Sequence, residues 1–241
     1  MTFVVGIRCQ NGIVLCSDSL EGDGITKRSR HKLIGYSVGE EWGAAWGLAG
    51  EGDVIDKFTD RLKIALGNGH YDKYTLEEKV ETVLRYVKTD YPTSNLQIVA
   101  ASFGPPFDKN LYRGTSEVGC LSPEDEYACA GTDVTLAQFA LRSIYNPLIT
   151  VGEGINLGIF VTSLMKEYAE GVGLDIQVLT YTYGLPQFRK LHKAEITAIE
   201  EQFPIEDASA AISGYWASKN PQSPAVLFKN MRAKLGMGGF E

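Results

Sequence analysis

The residue with the most chemistry to offer is the second one. Thr2 follows the initiator methionine, and removal of Met1 would leave a threonine with a hydroxyl and a free α-amine. The ordinary pKa of an α-amine is about 8, so a large fraction is neutral near pH 7–8. The amine can then take the hydroxyl proton, which makes Thr2 a nucleophile and its own base. A threonine in this position is also a common and inert feature. The reading therefore depends on what the chain gathers around it.

The first nineteen residues supply a frame. Phe3, Val4, Val5 and Ile7 form a short apolar run, as in a strand covered on both faces. Gln10-Asn11-Gly12 is a turn signal, and Ile13, Val14 and Leu15 return as a second strand ending in Ser17-Asp18-Ser19. With a three-residue loop Cys9 faces Ile13 and Asp18 faces Val4, which puts Asp18 on the sheet face of Thr2. A two-residue loop moves Asp18 to the other face.

This stretch resembles the start of a proteasome β-subunit and of the related bacterial peptidase subunits, which are N-terminal nucleophile hydrolases. Thr2, Gly12 and Asp18 occupy the positions of the family's threonine strand, its turn and its Asp-Ser strand end. Lys32 and Leu48-Ala49-Gly50-Glu51-Gly52 match, in kind and order, the family's lysine and its glycine turn into a helix. The resemblance covers at least residues 2–183. It implies that Lys32 lies beside the nucleophile, where its charge would lower nearby pKa values and stabilise negative charge. Lys27 is the alternative in the same basic cluster. It implies that the N–H of Gly50 binds the oxyanion, since glycine allows close backbone approach.

Further along, Gly131-Thr132-Asp133 falls at a turn where the family has a serine near the terminal amine. Ala130 stands at the serine position, and Thr132 supplies the nearby hydroxyl. Thr132 or Asp133 equally suits a helix N-cap. Glu167 and Glu170 fall where the family has an aspartate and a serine supporting the threonine. Asp175 resembles the start of a family strand. The expected catalytic set is thus Thr2, Asp18, Lys32, Gly50, Thr132 and Glu167.

The elements that must hold these groups follow from periodicity. Val54, Ile55, Phe58, Leu62, Ala65 and Leu66 mark one helix, and Thr75-Leu-Glu-Glu78 reads as a capping box opening a second. Strands are expected at 96–103, 111–112, 117–120 and 126–130. A second helix pair follows, through Leu136 to Ile144 and over 153–172. Two strand sets between two helix pairs predict an α+β fold, a four-layer α-β-β-α sandwich. Residues 194–199 read as a last strand. The domain is expected over 1–203, with 204–241 a C-terminal extension packed on the domain or a neighbouring subunit.

The chain has 241 residues and a formal net charge of −7, which disfavours a nucleic-acid partner. No apolar run approaches the roughly 18–20 residues of a membrane span, and no secretory signal precedes Phe3, so a cytoplasmic protein is expected. Cys9, Cys16, Cys120 and Cys129 and the three histidines show no metal spacing. Neither a cofactor nor a metal is expected. The resemblance implies a threonine-type peptidase acting on peptides or unfolded protein inside a homo-oligomer, a ring or an open helix. An ATP-dependent unfoldase partner is implied with it; the chain carries no nucleotide motif of its own. The alternatives are a non-catalytic scaffold subunit and a small-molecule amidase or peptide transferase on the same scaffold.

Overall fold

The computed structural model describes residues 2–22, 27–38, 42–67, 73–104, 107–185 and 187–202. The chain opens with β1 (Phe3–Cys9) and β2 (Gly12–Asp18), a hairpin of two buried strands. A short pair, β3 (Leu20–Gly22) and β4 (Lys27–Ser29), stands apart as its own two-stranded sheet. Then come β5 (Leu33–Val38), β6 (Trp42–Ala49), α1 (Gly52–Leu66), α2 (Lys73–Asp90), β7 (Gln97–Gly104), β8 (Phe107–Thr115), β9 (Cys120–Glu124) and β10 (Tyr127–Gly131). The described chain finishes with α3 (Val134–Ile144), α4 (Val151–Tyr168), β11 (Ile176–Thr182), β12 (Arg189–Lys190) and α5 (Lys193–Glu200).

One five-stranded sheet has the order β10-β1-β2-β11-β12, the other β5-β6-β7-β8-β9. Every strand pairing among the described residues is antiparallel. Alternation along β1 sorts its side chains. Phe3, Val5, Ile7 and Cys9 pack with α3 and α4, whereas Val4 turns to the opposite sheet and meets Ala45, Ala49, Val99 and Ala101. The outer face of β6 and β7 (Trp46, Leu48, Ile98) packs with Phe58, Leu62, Val80 and Leu84 of α1 and α2. Full burial of one such Leu or Phe is worth about 1.5–3 kcal/mol, so the sheets are held from both faces.

The expected four-layer sandwich is corrected. The described residues form a mostly antiparallel β-sheet fold with five helices. The β3-β4 sheet and α5 belong to neither of the two strand sets nor to the two helix pairs that the sequence led us to expect. Residues 194–199, read as a closing strand, lie inside α5. The cause is local: the Glu195 side chain accepts from the N–H of His192 at 2.9 Å, completing a capping box that starts a helix. α2 begins at Lys73, ahead of the expected cap at Thr75. α4 stops at Tyr168 rather than at 172, because Ala169 already leaves the helical conformation for an extended one at φ −100°, ψ 122°. The short strand expected at 117–120 is a turn, and the chain pairs again only from Cys120. Residues 204–241, the expected extension, lie outside the described residues. Among the described residues no helix is long and apolar enough to cross a membrane.

The hairpin register also differs from the first of the two readings. Cys9 pairs with Gly12 and Val4 with Ser17, leaving a two-residue Gln10-Asn11 turn. Gly12 belongs to the strand. A Cβ there would lie 1.9 Å from the Tyr181 carbonyl oxygen of β11, so glycine serves close strand approach and not the bend. Asn11 holds the turn instead, its Oδ1 accepting the N–H of Val151 at the start of α4 at 2.8 Å.

Candidate functional site

Asp18 ends β2 and is fully buried. Its Oδ1 accepts the N–H of Phe3 at 2.9 Å and the Nζ of Lys32 at 2.9 Å. Its Oδ2 accepts the N–H of Leu20 at 3.0 Å and that of Gly173 at 3.2 Å. One carboxylate thereby ties together the start of β1, the entry to β3, the loop after α4 and the lysine. In the observed register Asp18 reaches the peptide N–H that follows Thr2, without sharing Thr2's sheet face.

Lys32 lies between β4 and β5 and is 2 % exposed. Its Nζ also donates to the Leu20 carbonyl at 2.5 Å. Burial lowers its pKa from the ordinary value of 10.5, and the nearby Asp18 charge opposes that shift without cancelling it. The segment bearing Lys32 is clamped by Gln177 of β11. Its Oε1 accepts the Lys32 N–H at 3.1 Å, and its Nε2 donates to the Arg30 carbonyl. Gln177 was not singled out in the sequence, where a strand glutamine carries no signal.

Thr2, Lys32, Gly50 and Thr132 line one open cleft of about 700 Å³. Thr2 itself is 4 % exposed, and its carbonyl accepts the N–H of Thr132 at 3.0 Å. Gly50 has φ +155°, a backbone conformation that favours glycine. A Cβ at Gly50 would come within 3.2 Å of Leu96 Cδ1 and 3.3 Å of the Asn95 carbonyl oxygen. The side-chain cap expected of Thr132 or Asp133 is not made. Asp133 sits at the N-cap of α3 with φ 51° and no capping hydrogen bond.

The cleft wall is charged. Glu21 accepts from Arg28 at 2.6 Å and from Arg30, and Arg30 reaches Asp56 with its other nitrogen. Burial alone would raise the Glu21 pKa, but the two arginines hold it below the usual carboxylate range. Gly52 makes room for this pair, since a Cβ there would sit 2.0 Å from Glu21 Oε1.

Three expected groups stand elsewhere. Glu167 and Glu170 are exposed and do not line the cleft. Glu170 lies beyond the end of α4, so the two do not share the helix face expected of them. Asp175 bonds Lys193 of α5 at 2.7 Å. Lys27, the alternative lysine, is exposed on β4 and also outside the cleft lining. Ala130 is fully buried, paired with Val4.

Gly131 contributes more than the sequence suggested. It pairs with Phe3, has φ +110°, and a Cβ on it would lie 1.8 Å from the Thr2 carbonyl oxygen. Gly131→Ala should therefore lose about 1–3 kcal/mol from the backbone conformation alone, with a further loss from the clash. Denaturant titration of the variant against the parent protein measures it, and equal midpoints would refute it.

No protein-family model and no curated protein matches the sequence. Solved structures do. The Anbu (Gly-1) mutant from Hyphomicrobium sp. strain MC1 superposes with a TM-score of 0.74 at 14% identity, covering 90% of this chain and 97% of that one. Anbu from Yersinia bercovieri, described as an ancestral β-subunit, gives 0.73 at 13% identity over 89% and 97%. The Anbu complex from Pseudomonas aeruginosa, solved as a helical assembly, gives 0.73 at 15% identity over 92% and 99%. At such identities the likeness is one of fold. The mostly antiparallel β fold of the described residues is shared with these Anbu structures.

Proposed function

We propose that this protein is a threonine-type N-terminal nucleophile hydrolase that cleaves amide bonds in peptides within a self-assembled homo-oligomer. The observation that carries the reading is the convergence of Thr2, Lys32, Gly50 and Thr132 on one cleft, with Asp18 bonded beneath it. After loss of Met1, the α-amine of Thr2 takes the hydroxyl proton as Oγ attacks the carbonyl carbon. The buried Lys32 charge favours the neutral amine and the developing negative charge. The Gly50 N–H donates to the oxyanion. The amine returns its proton to the leaving nitrogen, an ester remains on Thr2, and water hydrolyses it. The fold shared with a helically assembling Anbu supports self-assembly. Any ATP-driven unfolding would come from a separate partner chain.

The second reading, a non-catalytic subunit of the same fold, is favoured by two placements: Ala130 where a hydroxyl would support the amine, and Glu167 out of the cleft. Intact-mass analysis and peptide mapping after treatment with a β-lactone electrophile decide between them. The hydrolase reading expects loss of Met1 and a single acyl adduct on Thr2. It also expects Thr2→Ala to lose the adduct and at least about a thousandfold of peptide cleavage while its melting temperature stays close to the parent's. A processed chain that takes no adduct, or one that keeps Met1, overturns it in favour of the scaffold.

A further inference from the structure

The layer between the two sheets is apolar along most of its length. Val4 and Leu15 from one sheet meet Ala49, Val99 and Ala101 from the other. Alternation carries this layer one step further on each side. Thr2 continues the face of Val4, and Gln97 continues the face of Val99 and Ala101. Gln97 pairs with Ala49, the residue before Gly50. The apolar layer therefore ends, at its open edge, in a polar rung made of Thr2 and Gln97, and both line the cleft.

The carboxamide of Gln97 is oriented. Its Oε1 accepts the N–H of Gly131 at 2.9 Å, across the gap between the sheets, and Gly131 is the residue paired with Phe3. With the oxygen held there, the two Nε2 protons face away from Gly131. They have no acceptor in the hydrogen bonds found among the described residues. A glutamine whose oxygen is anchored, whose side chain lines the cleft of a nucleophile and whose amide keeps two donors is suited to an anionic or carbonyl oxygen.

We propose that Gln97 Nε2 is a second donor to the oxygen of the reacting carbonyl, acting with the N–H of Gly50. This rests on the hydrolase reading and specifies its transition-state contacts. Gly50 and Gln97 arise from neighbouring paired strands, so both donors are held by the β6-β7 ladder and need no reorganisation as charge develops. The same glutamine, through Oε1, keeps the Gly131 turn against Thr2. It thus sets the position of the nucleophile and meets the charge that the attack creates.

These two roles separate in one substitution. Gln97→Glu keeps an oxygen acceptor for Gly131 and replaces the donors by a second acceptor. The readout is acylation of Thr2 by a β-lactone: Oγ bonds to the carbonyl carbon, the ring C–O bond breaks, and the released alkoxide takes the hydroxyl proton through the amine. The wild-type chain is expected to acylate once, on Thr2. Gln97→Glu should lower the maximal acylation rate about a hundredfold with little change in the half-saturating concentration. The wild-type to variant ratio should narrow as pH falls toward the glutamic acid range near about 4.3, where the protonated carboxyl regains a donor. Acylation of Gln97→Glu at the wild-type rate overturns the inference and leaves the hydrolase reading standing. A wild-type chain that is never acylated overturns both. Should Gln97→Glu fail to fold, Gln97→Met carries the test: a wild-type rate overturns the inference, and a fall in maximal rate alone supports it.

Discussion

Asp18→Ala should cost about 3–5 kcal/mol of folding stability, the loss expected when one partner of a buried ion pair is removed. The Lys32 ammonium would remain at 2 % exposure with the Leu20 carbonyl as its remaining described acceptor. The N–H groups of Phe3, Leu20 and Gly173 would each lose the Asp18 acceptor that now holds them. The three belong to segments far apart in sequence, so the damage spreads beyond one contact. Chemical denaturation measures the loss. The double variant Asp18→Ala with Lys32→Met should recover part of it, because no bare charge is then left in the interior. Equal stabilities for the single and double variants would show that the pair is not energetically coupled.

Lys32→Met should reduce Thr2 acylation by about a hundred- to a thousandfold, the scale on which removing one preorganised electrostatic group acts. It leaves Asp18 its three backbone donors, so the fold should survive better than in Asp18→Ala. The pH dependence follows from the direction of the shift. Burial holds the Lys32 pKa below 10.5 in the folded chain. Between that lowered value and 10.5 the unfolded chain binds the additional proton. Stability from this group therefore rises with pH across that window; it is fully present above 10.5 and lost as pH falls through the folded value. Activity runs the other way, declining on the alkaline side as Lys32 loses the charge. Unfolding and acylation measured from pH 8 to 11 should show opposite slopes in the parent chain, both removed in Lys32→Met. Parallel slopes would place the titration elsewhere.

The site was partly legible because its chemistry is concentrated in residues with distinctive types. A threonine after the first methionine, an aspartate at a strand end, a lysine and a glycine turn, in that order, carried the resemblance, and the structure brings Thr2, Lys32 and Gly50 to one cleft. Gln97 and Gln177 were not legible, since a glutamine in a strand has no one-dimensional signature. Their meaning comes from partners 34 and 145 residues away. Glu167 misled for the opposite reason. Its place along the chain matched an expectation, but the helix turns it to solvent, clear of the cleft.

Local pattern was enough for the opening hairpin, the buried stripes of α1 and α4, and the nucleophile candidate, because apolar periodicity and terminal chemistry are properties of neighbouring residues. Tertiary structure alone decided the hairpin register, through the close approach of β11 to Gly12. It decided the partners of Asp18, one of them 155 residues distant. It also turned the separate β3-β4 pair and two five-stranded sheets into a fold richer than two strand sets between two helix pairs. Each of these depends on which backbone groups meet across long loops, and the energy of those meetings exists only once the chain has closed on itself.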